Sequence, residues 1–597
     1  MKTLPHFLTR SLPFIICTWA IIGADAFAWP PERMFVHTDR EIYLAGETLH
    51  FKTYLLHANN DRTEQSGIAY LALRNRFGTV SSLVLPLQGQ GNEGNIYLED
   101  TLSSGWYELI AFTNRMRLEH GETRYRKTLF VANRFDRDPL GSVSGDMNDP
   151  DHETGVSGGT GSCLSGEQTE SDQTAQQGPS LRMEMDAVYG TRESVRMQLF
   201  LDEIRGTFAT LSVSVSPALA CNEAAPGLSA IMPVTEGGWS PATGAGMDAD
   251  APSDYWEKNA YLLHGRVRKK QTDEAAEGVR IVLNTPGAGI TYLYDVSRPD
   301  GKFCIPLPAF YNGRLLYLSA DPETTGDPVT VEVDNKFSFS GEFHPQVIAG
   351  MEARREFIRR SQELLSARQA FRLDYLRRTG RQALPASPPS FLFPQPRLTV
   401  RPAQYTPLDN LQEIAREIVP PWRIRQSGDS YRSQLHCADT GSPLPGTPLY
   451  FVDGIQVHDL GCLLPLQSAQ IDRILVHNTE WSYHDRSYHG AIQIITHGND
   501  YINLIPKDQY TTTRFDFYQK ENTFNPPSHS NGNTINREQP DLRQTLYWNP
   551  EIRIRRGGSA DLHFYTGDLP GEYLVRVEGI TSDGKGITLF RKFKVGL

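Results

Sequence analysis

Apolar and polar residues alternate with a period of two along much of the chain, the pattern of half-buried β-strands. In residues 48–55, Leu49, Phe51 and Leu55 fall on one face and His50, Lys52 and Tyr54 on the other, behind the turn Ala45-Gly46-Glu47. A second strand at 68–74 closes on Asn75-Arg76-Phe77-Gly78, a third at 106–113 follows Ser103-Ser104-Gly105, and a fourth lies at 127–131. Short strands with frequent turns over about 100 residues predict an immunoglobulin-like sandwich spanning 29–140. Strand patterns resume at Leu181, most clearly in 209–216 (ATLSVSVS), and predict another sandwich over 181–256 with an irregular insertion at 223–254. A further β unit spans 257–342, where Asp300-Gly301 makes a hairpin turn into 302–307.

The period changes at 348–378, a stretch rich in Arg, Glu, Leu and Ala without Pro. It predicts a helix packing through Phe357, Leu364, Phe371 and Tyr375. Its basic face reads first as solvated, with lipid headgroups or acidic partners as the functional alternative. The helical segment and a Pro-rich connector fill 343–395. From 396 to 500 the pattern is a small α/β unit. Its helix is expected to start at Thr406-Pro407-Leu408-Asp409, with Thr406 as cap, and to turn Leu411, Ile414 and Ile418 inward. Strands follow at 449–452, 471–476 and 491–496, the first ending in the turn Asp453-Gly454. Residues 501–542 read as an irregular linker and 543–597 as a separate closing β domain. The fold class is mainly β: tandem sandwiches, one small α/β domain and one helical insertion.

Composition adds compartment and exclusions. A chain of 597 residues is too long for one core. Lys2 and Arg10 precede an apolar stretch at 12–22, and Ala26-Phe27-Ala28 follows. That is the layout of an export signal over 1–28 cut before Trp29, and the stretch is too short to span a membrane. Lipidation at Cys17 is disfavoured by the bulky Phe14-Ile15-Ile16. Five cysteines remain, Cys163, Cys221, Cys304, Cys437 and Cys462, without a C-x-x-C pair, so no disulfide framework is expected and Cys304 reads as a buried thiol. The net charge of −11 argues against general nucleic-acid binding. Between 141 and 180, Asp146, Asp149, Asp151, Glu153, Glu167, Glu170 and Asp172 stand without any Lys or Arg, in a composition that predicts a disordered acidic linker.

Four blocks carry resemblances. His37-Thr38-Asp39-Arg40 with Tyr43 and Gly46-Glu47, and later Gly105-Trp106-Tyr107-Glu108-Leu109 and 111–117, resemble the MG2 macroglobulin domain of Bacteroidetes envelope proteins. The unit around Gly265, Gly278 and Asp300-Gly301-Lys302-Phe303 is similar to a carboxypeptidase regulatory-like domain, a sandwich without catalysis. Residues 448–454 (PLYFVDG), then Ile471-Asp472-Arg473-Ile474, then 490–496 (GAIQIIT), resemble the plug domain of TonB-dependent receptors. Arg543-Gln544-Thr545-Leu546-Tyr547-Trp548-Asn549-Pro550 looks like the start of a later macroglobulin-type domain. About 100 residues follow Thr496, too few for a transmembrane barrel. The macroglobulin thioester core is missing, since Cys163 and Gln168 stand too far apart.

His477-Asn478-Thr479-Glu480 has a spacing used by zinc carboxypeptidases, but no third ligand stands near it. His484, Asp485 and His489 offer donors for a borderline metal, against the plainer reading of a polar, aromatic loop. Asp39 and Arg40 read as a structural ion pair. No nucleophile elbow, H-E-x-x-H helix or phosphate loop occurs in the sequence. The expectation is therefore an exported periplasmic or outer-membrane binding or scaffold protein, not an enzyme, with no catalytic, cofactor or metal residues assigned. Its partner would be an envelope protein such as an outer-membrane transport component, met through the plug-like unit, with no nucleic acid and with peripheral membrane association open. A macroglobulin-like protease trap and a metal-dependent hydrolase are the alternatives.

Overall fold

The structure is a computed structural model. It describes residues 32–596 except 58–65, 88–90, 118–123, 142–180, 203, 205, 232–255, 259, 288, 340–342, 371–375, 379–394, 429, 484–485, 518–521 and 530–538. The predicted signal segment, nearly all of the acidic linker and most of the 223–254 insertion lie outside the described residues.

Eight strands build the first sandwich: β1 (Glu32–Thr38), β2 (Ile42–Leu44), β3 (Thr48–His57), β4 (Ile68–Asn75), β5 (Gly78–Pro86), β6 (Glu93–Tyr97), β7 (Gly105–Phe112) and β8 (Tyr125–Ala132). Its sheets run β1-β3-β6 and β2-β8-β7-β4-β5. Leu49, Phe51 and Leu55 enter the core with Tyr70, Leu109 and Phe112, as their alternation predicts. The opposite face of β3 is not solvated: His50, Lys52 and Tyr54 are buried too.

The chain then lays down β9 (Leu181–Glu184), β10 (Val188–Tyr189), β11 (Ser194–Leu201) and β12 (Phe208–Pro217) and leaves this set open. A third group follows: β13 (Tyr261–Lys269), β14 (Arg280–Asn284), β15 (Leu293–Val296), β16 (Lys302–Leu307), β17 (Arg314–Ala320) and β18 (Val329–Val333). Its sheets are β16-β13-β18 and β15-β14-β17, around Ile281, Phe303, Ile305 and Leu318. Cys304, expected to be buried, is half-exposed, because on β16 it alternates with the inward Phe303 and Ile305.

Helix α1 (Arg355–Ala370) is shorter than its predicted span. It buries Ile358 and Leu365 against Ile42, Leu44, Trp106 and Phe130 of the first sandwich, while Phe357 only flanks that cluster and Leu364 is half-buried. The core-facing stripe is thus rotated by one residue from the expected one. Phe371 and Tyr375 lie outside the described residues. Residues expected at the helix end form a short strand instead, β19 (Leu376–Arg378). Three of the helix's four arginines are matched within the chain: Arg355 pairs with Glu352, Arg359 with Glu356, and Arg368 reaches Glu47 at 3.1 Å.

The α/β unit expected at 396–500 contains β20 (Leu398–Val400), α2 (Leu411–Ile418), β21 (Trp422–Ser427), β22 (Ser430–Leu435), β23 (Leu449–Val452), β24 (Ile455–Val457), β25 (Ile471–Tyr483) and β26 (Arg486–Thr496). Its sheet runs β20-β25-β26-β23-β24, with β23 parallel to β26. The inward face of α2 is the predicted one, Leu411, Ile414 and Ile418. Its start is not. Asn410 caps the helix by accepting from the Glu413 N–H at 2.9 Å, so the expected box at Thr406 and Asp409 is unused. An amide one residue before an apolar helical run satisfies a free N–H better placed than Thr406 can.

Two corrections concern the rest. Residues 501–542 are not merely a linker: β27 (Thr511–Phe515) joins β17 and closes the third sandwich, and β28 (Asn522–Phe524) pairs with β19. Nor do 543–597 form a separate domain. Strands β29 (Tyr547–Arg555), β30 (Ser559–Tyr565), β31 (Gly571–Thr581) and β32 (Gly586–Val595) complete the sandwich that β9–β12 began. Its sheets run β10-β32-β31-β12-β29 and β30-β11-β9, so β12 lies between two strands from the C-terminal end. Four strands at 181–217 cannot cover both sheets, and the second half supplies the missing apolar face: Ile554, Phe564, Val575 and Val577 pack on Val195, Leu211 and Val213.

Candidate functional site

Among the described residues, three buried polar clusters carry most of the chemistry, and each lies where two units meet. The largest joins the first and second sandwiches. The polar face of β12, Ser212, Ser214 and Ser216, reads as solvent-facing in the alternation but is buried. His37 from β1 sets its ring nitrogens 2.6 Å from Ser212 Oγ and 3.2 Å from Ser214 Oγ. Tyr54 from β3 donates to Ser212 Oγ at 2.8 Å. Small hydroxyls let two sheet faces approach closely while satisfying larger polar side chains.

Beside this contact, Tyr43 and the His50 amide donate to Asp39 Oδ1, and the Thr545 hydroxyl donates to Asp39 Oδ2. Arg40 pairs with Glu47 at 3.0 Å and donates to Gln544 Oε1. Two sequence blocks that resemble macroglobulin openings, one at each end of the chain, thus meet. Asp39 and Arg40 lie 3.6 Å apart, and of their partners Thr545 and Gln544 lie across the junction. A charged row continues the contact: Glu41 accepts from Lys127 at 2.8 Å and Arg576 at 3.2 Å, and Arg576 reaches Glu578 at 2.8 Å. Burial opposes the Glu41 carboxylate, yet Lys127 and Arg576 prevail and hold its pKa below the usual range. Burial draws the Lys127 ammonium down despite Glu41.

Burial, helped by Arg576 and Lys127, keeps the His37 imidazole neutral, with its pKa well below 6.5. A group with a depressed histidine pKa stabilises the fold above its unfolded value and loses that contribution as pH falls. From pH 6.5 downward the unfolded chain gains a proton that the folded chain refuses, a loss of about 1.4 kcal/mol per pH unit. His458 is depressed by burial as well, although Asp321 opposes the shift, so it adds a pH dependence of the same sign. The difference between wild type and His37→Asn therefore isolates His37. Denaturant unfolding between pH 7 and 5 is expected to show a shallower pH slope in the variant, and equal slopes would remove His37 from the account.

The second cluster joins the first and third sandwiches. Lys336 Nζ lies 2.5 Å from Glu257 Oε1 and 2.7 Å from Tyr70 Oη, and it also donates to the Leu262 carbonyl. Tyr70 donates to Glu257, which accepts from the Leu262 N–H as well. Burial lowers the Lys336 pKa against the pull of Glu257.

The third cluster seats the α/β unit on the third sandwich. Asp453, with φ of 47°, holds the turn by accepting from Thr496 N–H at 2.9 Å and Thr496 Oγ1 at 2.6 Å. The adjacent Gly454 has φ of 87°, and a Cβ there would lie 2.7 Å from the Thr285 carbonyl and 2.9 Å from that of Gly287. Gly287 N–H donates to the Asp453 carbonyl across the junction. Tyr488 and Tyr292 meet edge to face, and Arg486 reaches Asp321 at 2.7 Å. Gly454→Val is expected to weaken this junction by about 2–4 kcal/mol, combining a strained positive φ with backbone overlap. Hydrogen exchange localised to 284–291 and 450–457 checks it, since global loosening without that focus would contradict the placement.

The other residues singled out in the sequence are not gathered. His477 is buried and Glu480 exposed on β25, with a register shift between them, and Glu480 faces His489 Nδ1 at 3.3 Å. The H-x-x-E pair therefore does not converge on one point. His484 and Asp485 lie outside the described residues. Among the described residues no group of three or more His, Cys, Asp or Glu is placed to hold a metal ion. Among the described residues, Cys221, Cys437 and Cys462 are free thiols. A shallow groove of about 400 Å³ lies by Glu184, Asp186, Arg196 and Arg591, but Arg591 donates to the Met183 and Met185 carbonyls and Arg196 pairs with Asp561. No described helix is long and apolar enough to cross a membrane.

No model of a known protein family matches the chain, and no curated protein matches it. Among solved structures it is similar to Salmonella alpha-2-macroglobulin reacted with methylamine, at 10% identity and a TM-score of 0.23, over 95% of this chain and 40% of that one. Escherichia coli alpha-2-macroglobulin activated by porcine elastase gives 9% and 0.24, over 95% and 44%. Dimeric latent PorU from Porphyromonas gingivalis gives 9% and 0.15, over 51% and 33%. The chain spans less than half the length of each. Scores this low assign neither the arrangement of the units nor an activity.

Proposed function

We propose that this chain is a non-enzymatic, exported binding scaffold of a Gram-negative envelope, docking to an outer-membrane transport or surface component through its plug-like unit. The observation that supports this reading is the use of its buried ionisable residues. His37, Asp39, Arg40, Glu41, Glu257 and Lys336 all fasten one unit to the next. Such junctions hold the plug-like unit in a fixed relation to the sandwiches, which suits a spacer presenting one contact surface. The Asp453-Gly454 turn is covered by the third sandwich, so docking would use the opposite side of that unit.

An affinity capture of the tagged full chain from crosslinked native envelopes tests this. The expected catch is an outer-membrane barrel or transport component, lost when residues 396–500 are removed from a chain whose sandwiches still unfold cooperatively. Recovery of no envelope partner, or of a trapped protease instead, would overturn the proposal.

A further inference from the structure

Deepening the binding reading above and resting on it, we propose that the β21–β22 ribbon of the plug-like unit docks an extended acidic polypeptide segment. Arg423 and Arg425 alternate on β21 and share its outer face. Arg432 on β22 stands directly opposite Arg425, and Gln434 opposite Arg423. All three arginines are exposed. The inner face goes to the core, with Trp422 and Leu435 buried and Trp422 Nε1 donating to Ser433 Oγ.

Among the described residues, none of the three guanidinium groups has an ion pair or a hydrogen bond. Asp429, in the turn, lies outside the described residues. Neighbouring arginines behave differently: Arg397 pairs with Asp439 and Arg416 with Glu417. Like charges facing each other across a ribbon are destabilising. A chain of net charge −11 that places two arginines opposite each other, with no described acid paired to either, leaves a cationic surface to be met by an outside anion.

The spacing selects the kind of anion. Side chains two apart on β21 repeat every ~6.6 Å, the repeat of alternate side chains in any extended chain. Arg425 and Arg432 lie about 5 Å apart at Cβ, close enough to share one carboxylate. No described strand pairs with the outer edge of β21, and strand addition along that edge is the mode of contact we propose. An extended segment with Asp or Glu at every second position meets all three features. A membrane surface fits less well, because none of the exposed large apolar side chains is on this ribbon. Single-stranded nucleic acid fits less well too, because the arginine face carries no aromatic ring for bases to stack on.

The test uses the full chain and a fluorescent peptide of five Thr-Glu repeats, followed by anisotropy at low and high salt. Saturable binding that weakens with salt, and falls about tenfold or more in the triple variant R423Q/R425Q/R432Q, is the expected result. Arg425→Gln and Arg432→Gln alone should each weaken it about threefold while leaving thermal unfolding unchanged, which separates a lost contact from a lost fold. No saturable binding, or equal binding by the triple variant, overturns the proposal. So does tighter capture by phosphatidylglycerol vesicles or by oligo-dT. In the envelope capture, a triple variant that keeps every wild-type partner sinks the ribbon alone, whereas a wild type that catches nothing sinks the scaffold reading beneath it.

Discussion

A chain ending at residue 542 is expected to lose the second sandwich altogether rather than shed an independent terminal domain. β12 lies between β29 and β31, and both neighbours would go. Val213, Val215, Leu211 and Ala209, all fully buried, would face water on their core side. At about 1.5–3 kcal/mol for each large aliphatic side chain, the loss from the three larger residues alone approaches the whole stability of a typical domain. The backbone of β12 would also lose its ladder on both edges. The damage reaches the first sandwich, because His37 and Tyr54 would lose their serine partners on an ordered strand. Calorimetry should show one cooperative transition missing, and limited proteolysis should cut within 181–217. A truncated chain that keeps 181–217 resistant would show that the N-terminal strands are self-sufficient.

Lys336→Ala is expected to destabilise the junction between the first and third sandwiches by about 3–5 kcal/mol, the effect of leaving a buried charge without its partner. Glu257 would remain beneath Tyr70 and the Leu262 amide, with its side chain wholly out of solvent and its nearest cation removed. Replacing both members together, as Lys336→Met with Glu257→Leu, should recover much of the loss, because two apolar side chains need no compensation. Urea unfolding of the single and double variants forms the cycle. A single variant that costs under about 1 kcal/mol would mean that the pair behaves as a surface ion pair.

How much was legible in the sequence follows from what a period can encode. A period of two locates strands, and 48–55 and 209–216 lie where their alternation puts them. It does not name the strand's partner. ATLSVSVS pairs with residues more than 300 positions later, and its serine face looks solvated because His37 and Tyr54 come from another unit. The blocks at 37–47 and 543–550 were visible separately, while their contact through Asp39, Arg40, Gln544 and Thr545 was not. Glu257 and Lys336 gave no signal, since isolated charges at the edges of a unit look like surface. Thr406 failed as a cap because Asn410 stands next to the apolar run. The H-x-x-E spacing of His477 and Glu480 suggests convergence only on a regular backbone, and β25 is irregular between them. The arginine face needed no long-range partner: Arg423, Arg425 and Arg432 follow from strand alternation once the hairpin register is known.

The fold rests on one sandwich being shared by the strands at 181–217 and those at 547–595. A specific protease site inserted between 530 and 538, cut in the folded protein, tests it directly by size-exclusion chromatography. The fragment beginning near 539 should co-elute with the remainder under native conditions and separate only in denaturant. If it elutes alone from a native column while the rest keeps its thermal transitions, the C-terminal strands are a separate domain and the account is wrong.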